Sequence, residues 1–420
     1  MNIAVCFNDK IKGIVSLPAS KSISNRILIL NALADSPLEI ENLSDCDDTK
    51  SMLQVLQSDV NYFDIGHAGT AMRFLTAFLS RIVGIWDLTG SERMKQRPIG
   101  VLVDALNRLG AHIEYREQVG FPPLRIYGSY LRGGEISIPA SVSSQYISAL
   151  MMIAPYMAEG LRLRLTGKVV SRKYIDMTVA LMRFFGAEIE TNGDFIKIAP
   201  LPYTPVPFRV ESDWSAASYF YELLAIAEGG EITLTGLEKE SLQGDAGQVY
   251  VWEKLGVKSS WQGDKLMLRK KEVEIRFLEF NFVEMPDLVQ SFAVACCMNG
   301  IPFSFSGVET LRIKETDRIT ALITELRKLG YELSTEGEGV LKWEGTLALP
   351  EKNICIETYH DHRMAMAFAP AALKHPGMVI VDKEVVSKSF ADYWKELQKL
   401  GLEIEAVSYT HLTLPTILRV

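Results

Sequence analysis

The chain has 420 residues, 48% of them hydrophobic, which is enough to bury two cores. Its 44 Lys and Arg against 52 Asp and Glu leave a net charge of -8, which argues against a nucleic-acid partner but not against a small anion met by a few converging cations. Cys6, Cys46, Cys296, Cys297 and Cys355 form no CxxC pair, no apolar run reaches membrane-spanning length, and MNIAVCFNDK meets charge at Asp9, so disulfide, zinc, membrane and leader readings give way to a cytoplasmic, soluble protein.

In chain order, LPASKSISNR (17–26) opens a helix with Lys21 and Arg26 among Ser20, Ser22, Ser24 and Asn25. A serine cap with solvated cations would explain it, and so would a bound anion at the helix mouth. GHAGTAMRFL (66–75) puts Gly66 and Gly69 ahead of a helix carrying Arg73, which is either an ordinary strand–helix turn or a backbone cradle for an anion. SERMKQRPIG (91–100) supplies Arg93, Lys95 and Arg97 before Pro98. The proline suits a first helical turn and sets Arg97 at its entry, while Arg93 and Lys95 read as a solvated basic loop. SVSSQYISALMM offers Ser143, Ser144 and Gln145 where a cap needs one serine, and SRKYIDMT repeats the theme with Ser171, Lys173 and Tyr174.

Later segments add carboxylates. Asp287 in EMPDLVQSFAVACC follows Pro286 and opens an apolar helix, a favourable place for a negative charge and, beside a cleft, for a proton acceptor. LRIKETDRITAL packs Lys314, Glu315, Asp317 and Arg318 together. In YHDHRMAMAFAPAAL, His360 and His362 suggest a metal, but no third ligand is evident and Arg363 would repel a divalent cation, so no metal is expected. VSKSFADYW places Lys388 before the last helix.

A repeat organises these pieces. Helical segments end at Gly110, Gly186, Gly256, Gly330 and Gly401, at intervals of 76, 70, 74 and 71 residues, each followed by a short alternating stretch. A left-handed glycine cap leading into a strand fits all five. MLQVLQSDVNYF (52–63) reads as a degenerate sixth copy, and PLPYTPVPFRV (200–210) as the crossover between two sets of three α/β modules with helices inside and sheets outside. Lys21, Arg26, Arg97, Lys314, Arg318, Arg363 and Lys388 all precede or open helices, where the dipole disfavours them. Bound phosphate and carboxylate groups, the latter gripped bidentately by arginine, would offset that cost.

Together, LPASKSISNR, GHAGTAMR, ERMKQRPIG, SVSSQYISAL, SRKYIDMT, IKETDR and DHRMAMAF resemble, in order from about residue 10 to 405, the 5-enolpyruvylshikimate-3-phosphate synthases. The resemblance implies a two-domain inside-out α/β barrel, each domain three βαβαββ units. It also implies transfer of the enolpyruvyl group of phosphoenolpyruvate to shikimate 3-phosphate with release of phosphate, a shikimate-pathway step of aromatic amino-acid biosynthesis, without metal or organic cofactor. Residues 1–18 with 212–405 would form one domain, 19–211 the other, and 406–420 a tail foreign to the family. The protein is expected to be a monomer.

By the same resemblance, Lys21 touches both substrates, and Ser22 and Arg26 hold the shikimate part. Ser143, Ser144, Ser171 and Lys314 hold or neighbour its phosphate, and Gln145 lies between the substrates. Arg97, Arg318, Arg363, Lys388 and the Gly69 loop take phosphoenolpyruvate. Asp287 is the base for the attacking hydroxyl, and Glu315 with Lys21 moves the methylene proton. Ala19, His67, Phe74, Thr310 and His360 depart from the family pattern. The alternatives are the sister transferase acting on UDP-N-acetylglucosamine, which carries a reactive loop cysteine, and a non-catalytic phosphometabolite-binding protein.

Overall fold

The computed structural model describes residues 1–7, 11–141 and 143–407. Asp9 and the tail from residue 408 lie outside the described residues. One unit shows the pattern of the rest. Strand Tyr62–Asp64 leads into helix Gly69–Arg81, then strand Gly84–Thr89, helix Gly100–Arg108, and a hairpin of His112–Tyr115 with Leu124–Gly128. The first two strands pair in parallel across their helix, and the hairpin adds two antiparallel strands beside the second. The described residues form five four-stranded sheets in this same order and one two-stranded sheet. Alternation in sequence sets their faces: Gly134–Pro139 buries every second residue.

The five repeat glycines all have φ between +82° and +104°, the left-handed conformation expected of them. The sixth copy is truncated. Helix Asp47–Leu56 forms, but Ser58–Asp59 makes no glycine turn, and the next strand, Tyr62–Asp64, joins the neighbouring sheet instead of a hairpin of its own. What remains of that unit's sheet is Ile40–Glu41 paired in parallel with Phe208–Arg209. Two units borrow strands from the chain's beginning. Asn2–Phe7 pairs antiparallel with Leu402–Val407, so Ala406 and Val407, expected in the tail, belong to a sheet. Ile11–Ser16 pairs in parallel with Gly230–Thr235.

Two separate apolar cores result, one drawn from residues 3–17 and 214–402, the other from 19–210. Their central helices are mostly apolar and are buried all round, as in Val289–Met298 and nearly all of Trp214–Ile226, with a few polar side chains such as Gln290 and Glu222 enclosed. Helices therefore lie inside and sheets outside. The chain passes between the cores twice at one place, where Ala19 bridges Ser212, Ser20 N donates to Glu211 O at 2.8 Å and Asp213 N to Pro18 O at 2.8 Å. The proline-rich stretch expected as the crossover instead packs Tyr203 and Val210 into the second core, and the crossing follows it directly.

Candidate active site

Between the two cores lies a pocket lined by Lys21, Ser22, Arg26, Gly69, Arg97, Ser143, Ser144, Gln145, Ser171, Asp287, Lys314, Glu315, Arg318 and Arg363. Of the residues to which the resemblance gives a catalytic or substrate-binding role, only Lys388 sits outside it, in an adjoining cleft, with its Nζ 3.0 Å from Glu315 Oε1.

Helix starts deliver these groups. Ser20 caps helix Lys21–Leu33 by accepting from Ile23 N at 3.4 Å, which sets Lys21 at its first position, with Nζ 3.6 Å from Asp48 Oδ2. Burial pushes the Lys21 ammonium down, but Asp48 and its other neighbours outweigh that and the net shift is upward. Ser143 is the cap of helix Ser144–Ile153, which frees Ser144 and Gln145 for the pocket; Gln145 Nε2 donates to Thr70 Oγ1 at 3.2 Å. Ser171 is held at φ +54°, a strained conformation for a serine, and its N–H donates to Val283 O across the cleft at 3.0 Å. Arg26 is fully buried. It donates to Thr178 Oγ1 at 2.7 Å, Ser22 O at 2.9 Å and Ser148 Oγ at 3.1 Å, and burial lowers it to about 10, so it stays charged.

Two carboxylates organise the remaining cations. Asp287 lies 2.9 Å from Arg363 Nη2, 3.0 Å from Arg318 Nη1 and 3.6 Å from Lys314 Nζ. Glu315 meets Lys388, Arg318 Nη2 at 3.1 Å and Arg97 Nη1 at 3.6 Å. Burial alone would raise both carboxyls, but the surrounding cations hold each well below the usual carboxylate range. Protein carboxylates share the offsetting of charge expected from bound anions, because Asp48, Asp287, Glu315 and Asp361 pair with these cations. Cations still outnumber these carboxylates, so the pocket retains positive charge for ligands.

Three contributors escaped sequence reasoning. Asp361 is wholly buried, grips Arg318 through Nε at 2.7 Å and Nη2 at 3.2 Å, and caps the helix that carries Arg363. Asp48, in the first turn of helix Asp47–Leu56, is buried and pairs with Lys21. His362 is 1% exposed, lines the pocket, and has no hydrogen-bond partner on either ring nitrogen, while burial and then Lys21, Arg363 and Lys388 hold it neutral. His360, two residues earlier, points outward toward Asp382, so the pair does not converge. Its ring stacks 6.3 Å from His67, which meets Ser91 Oγ at 3.0 Å. Phe74 lies under the Arg26 guanidinium at 5.3 Å, and Thr310 lines the pocket. Lys95 pairs with Glu92 and Glu117 at the surface as expected, whereas Arg93 does not belong to a solvated loop and reaches across the cleft. Cys296 and Cys297 are buried in a core helix, away from any loop.

The cationic cleft with its two carboxylates lies between the halves of an inside-out α/β barrel. The family model described as EPSP synthase (3-phosphoshikimate 1-carboxyvinyltransferase) matches residues 7–58 and 57–397. A 3-phosphoshikimate 1-carboxyvinyltransferase of Bacteroides fragilis is 50% identical over 397 residues, covering 94% of this chain and 97% of that protein. One from Yersinia ruckeri is 40% identical, covering 93% of this chain and 97% of its own length. An EPSP synthase structure from Acinetobacter baumannii superposes with a TM-score of 0.75 at 21% identity, over 96% of this chain and 100% of that one, and supports the fold. The chain belongs to the EPSP synthase family, the 3-phosphoshikimate 1-carboxyvinyltransferases.

Proposed function

We propose that the pocket between the two cores is where this chain transfers the carboxyvinyl group of phosphoenolpyruvate to the 5-hydroxyl of shikimate 3-phosphate, releasing phosphate. Supporting this, Asp287 and Glu315 face one cavity, each braced by several cations. Lys21 contacts both substrates. Ser22, Arg26, Ser143, Ser144, Ser171 and Lys314 hold shikimate 3-phosphate, with Gln145 between it and phosphoenolpyruvate. Arg97, Arg318, Arg363, Lys388 and the Gly69 turn hold phosphoenolpyruvate.

Asp287 takes the proton of the attacking hydroxyl, and Glu315 with Lys21 delivers one to the methylene carbon, which leaves the adjacent carbon open to attack. The resulting phospho-adduct returns one proton of its new methyl group to Glu315 with Lys21 as phosphate leaves, which restores the carbon–carbon double bond. Aligning two bound anions supplies about 7–11 kcal/mol of the barrier reduction. The fixed cations stabilise the departing phosphate without reorganising. In the ligand-free arrangement Arg318 and Arg363 make Asp287 a weak base. The carboxylate of phosphoenolpyruvate draws on the same two guanidinium groups, so substrate binding raises the basicity of Asp287 when it is needed.

The sister-transferase and binding-protein alternatives fall with family membership; Ser22 follows Lys21, and the paired cysteines are core residues. We take residues 1–18 with 212–405, extended to 407 by the last strand, as one domain and 19–211 as the other, in keeping with the two cores. We take the protein to act as a monomer. The acidic balance fits an absence of nucleic-acid partners, and the free thiols of Cys6, Cys46, Cys296 and Cys297 fit a cytoplasmic location. No described helix is long and apolar enough to cross a membrane.

The test is phosphate release, which should require both substrates together. Asp287→Asn keeps shape but removes the proton acceptor, so turnover should fall roughly 10²–10⁴-fold. Shikimate 3-phosphate affinity by calorimetry should hold or tighten, because a negative charge leaves a cationic pocket. Near-normal turnover would assign the base elsewhere.

A further inference from the structure

Arg93 stands on the four-residue helix Glu92–Lys95, capped by Ser91 and anchored by Met94, which is 1% exposed. Its guanidinium crosses from the half built on residues 19–210 to the other half. There Nε donates to Glu315 O at 3.1 Å and Nη2 to Lys314 O at 3.1 Å. Residues 314–317 lie between a 3-10 turn, Glu309–Ile313, and helix Arg318–Lys328, and belong to no helix or strand. Among the described residues no loop or cap backbone N–H donates to these two carbonyls, so Arg93 supplies their hydrogen bonds.

The same two residues send their side chains the other way, into the pocket. Lys314 Nζ lies 3.6 Å from Asp287, and Glu315 meets Lys388, Arg318 and Arg97. Other ties across the cleft, such as Lys173 N to Glu284 Oε2 at 2.9 Å and Ser387 Oγ to Asp47 Oδ2 at 2.6 Å, touch neither residue.

We propose that Arg93 is a positioning residue. On closure of the two halves, its planar fork seizes the consecutive carbonyls of Lys314 and Glu315 and fixes the backbone that aims their side chains at the substrates. The inference rests on the roles of Lys314 and Glu315 given above. It makes assembly of the site depend on closure, because the bracing group comes from the opposite half. An arginine is required. Two nitrogens of one rigid plane reach two successive carbonyls, whereas a lysine offers a single point. Displacement of a reacting group by about 1 Å is enough to cost on the order of 10²-fold in rate.

The test compares Arg93→Ala, Arg93→Lys, Glu315→Gln and the double variant Arg93→Ala/Glu315→Gln, each with its melting temperature as a check of folding. In Arg93→Ala, kcat should fall about 10–100-fold while shikimate 3-phosphate affinity, measured by calorimetry without phosphoenolpyruvate, stays within about threefold. Arg93→Lys should remain impaired despite its charge, and decides the matter if the alanine variant does not fold. Ethylguanidinium added to Arg93→Ala should restore part of the turnover. In the Glu315→Gln background, removing Arg93 should cost far less than in the parent. Parental kcat in Arg93→Ala, full recovery in Arg93→Lys, or additive losses in the double variant would each overturn the proposal. A Glu315→Gln enzyme of normal turnover would instead overturn the role of Glu315 itself.

Discussion

Asp245 lies behind the cleft, against the pocket-lining Ser215. It is buried, Oδ2 accepts from Ser215, and Oδ1 has no partner. Burial, and then the charge of Asp287, raises it from 3.8 to about 7. A folded value above the unfolded one means that the folded chain keeps a proton the unfolded chain has released. The associated stability is present in full below 3.8 and is lost as pH rises to about 7, a change on the order of 4 kcal/mol. Asp245→Asn does not titrate, so its melting temperature should rise relative to the parent between pH 5 and pH 8.5. A difference independent of pH would mean that Asp245 is ionised in the folded protein. Asp287 and Glu315 work the other way. Their folded values lie below the unfolded ones, so their stabilisation is present above the ordinary carboxylate range and lost as pH falls through those low values.

Each repeat depends on one reversal, where a helix hands over to a strand. At Gly330 the chain turns at φ +95°, and an added Cβ would stand 2.8 Å from the carbonyl oxygen of Ala348, a backbone atom that cannot swing aside. Gly330→Ala should therefore cost at least about 1–2 kcal/mol from the left-handed conformation alone. A fall in melting temperature of roughly 2–4 °C would follow; an unchanged value would show that the turn relaxes freely. The truncated sixth unit makes the same point from the opposite side. Lacking a glycine after Leu56, it lacks a hairpin too.

Across the whole molecule, the two halves touch around a pocket in which cations exceed carboxylates. In solution that excess should hold the ligand-free halves apart, and anionic substrates should draw them together because they bind the closed form better. A compact chain of this length has a radius of gyration of about 22 Å. Small-angle scattering of the free protein should exceed that value. It should fall toward it with shikimate 3-phosphate plus an unreactive phosphoenolpyruvate mimic. An unchanged radius would leave Arg93 permanently docked and remove closure from its role.

Much of the fold and the cationic half of the site were legible in the sequence, because both are written locally. A glycine cap, an alternating strand, or a lysine after a capping serine needs only its neighbours to be recognised. The partners of those groups were not legible, because they are set by contacts between residues far apart in the chain. Asn2–Phe7 finds Leu402–Val407 at the opposite end, and Arg318 finds Asp361 on another helix. His360 and His362 share one motif, yet one faces solvent and the other the pocket. Lys95 and Arg93 share one short helix, yet one stays in water while the other reaches the opposite half. Local spacing determined which residues could stand at a helix start. Only the packing of two cores against a common cleft decided which charges face each other there, because the energy of a pair depends on distance and burial and not on separation along the chain.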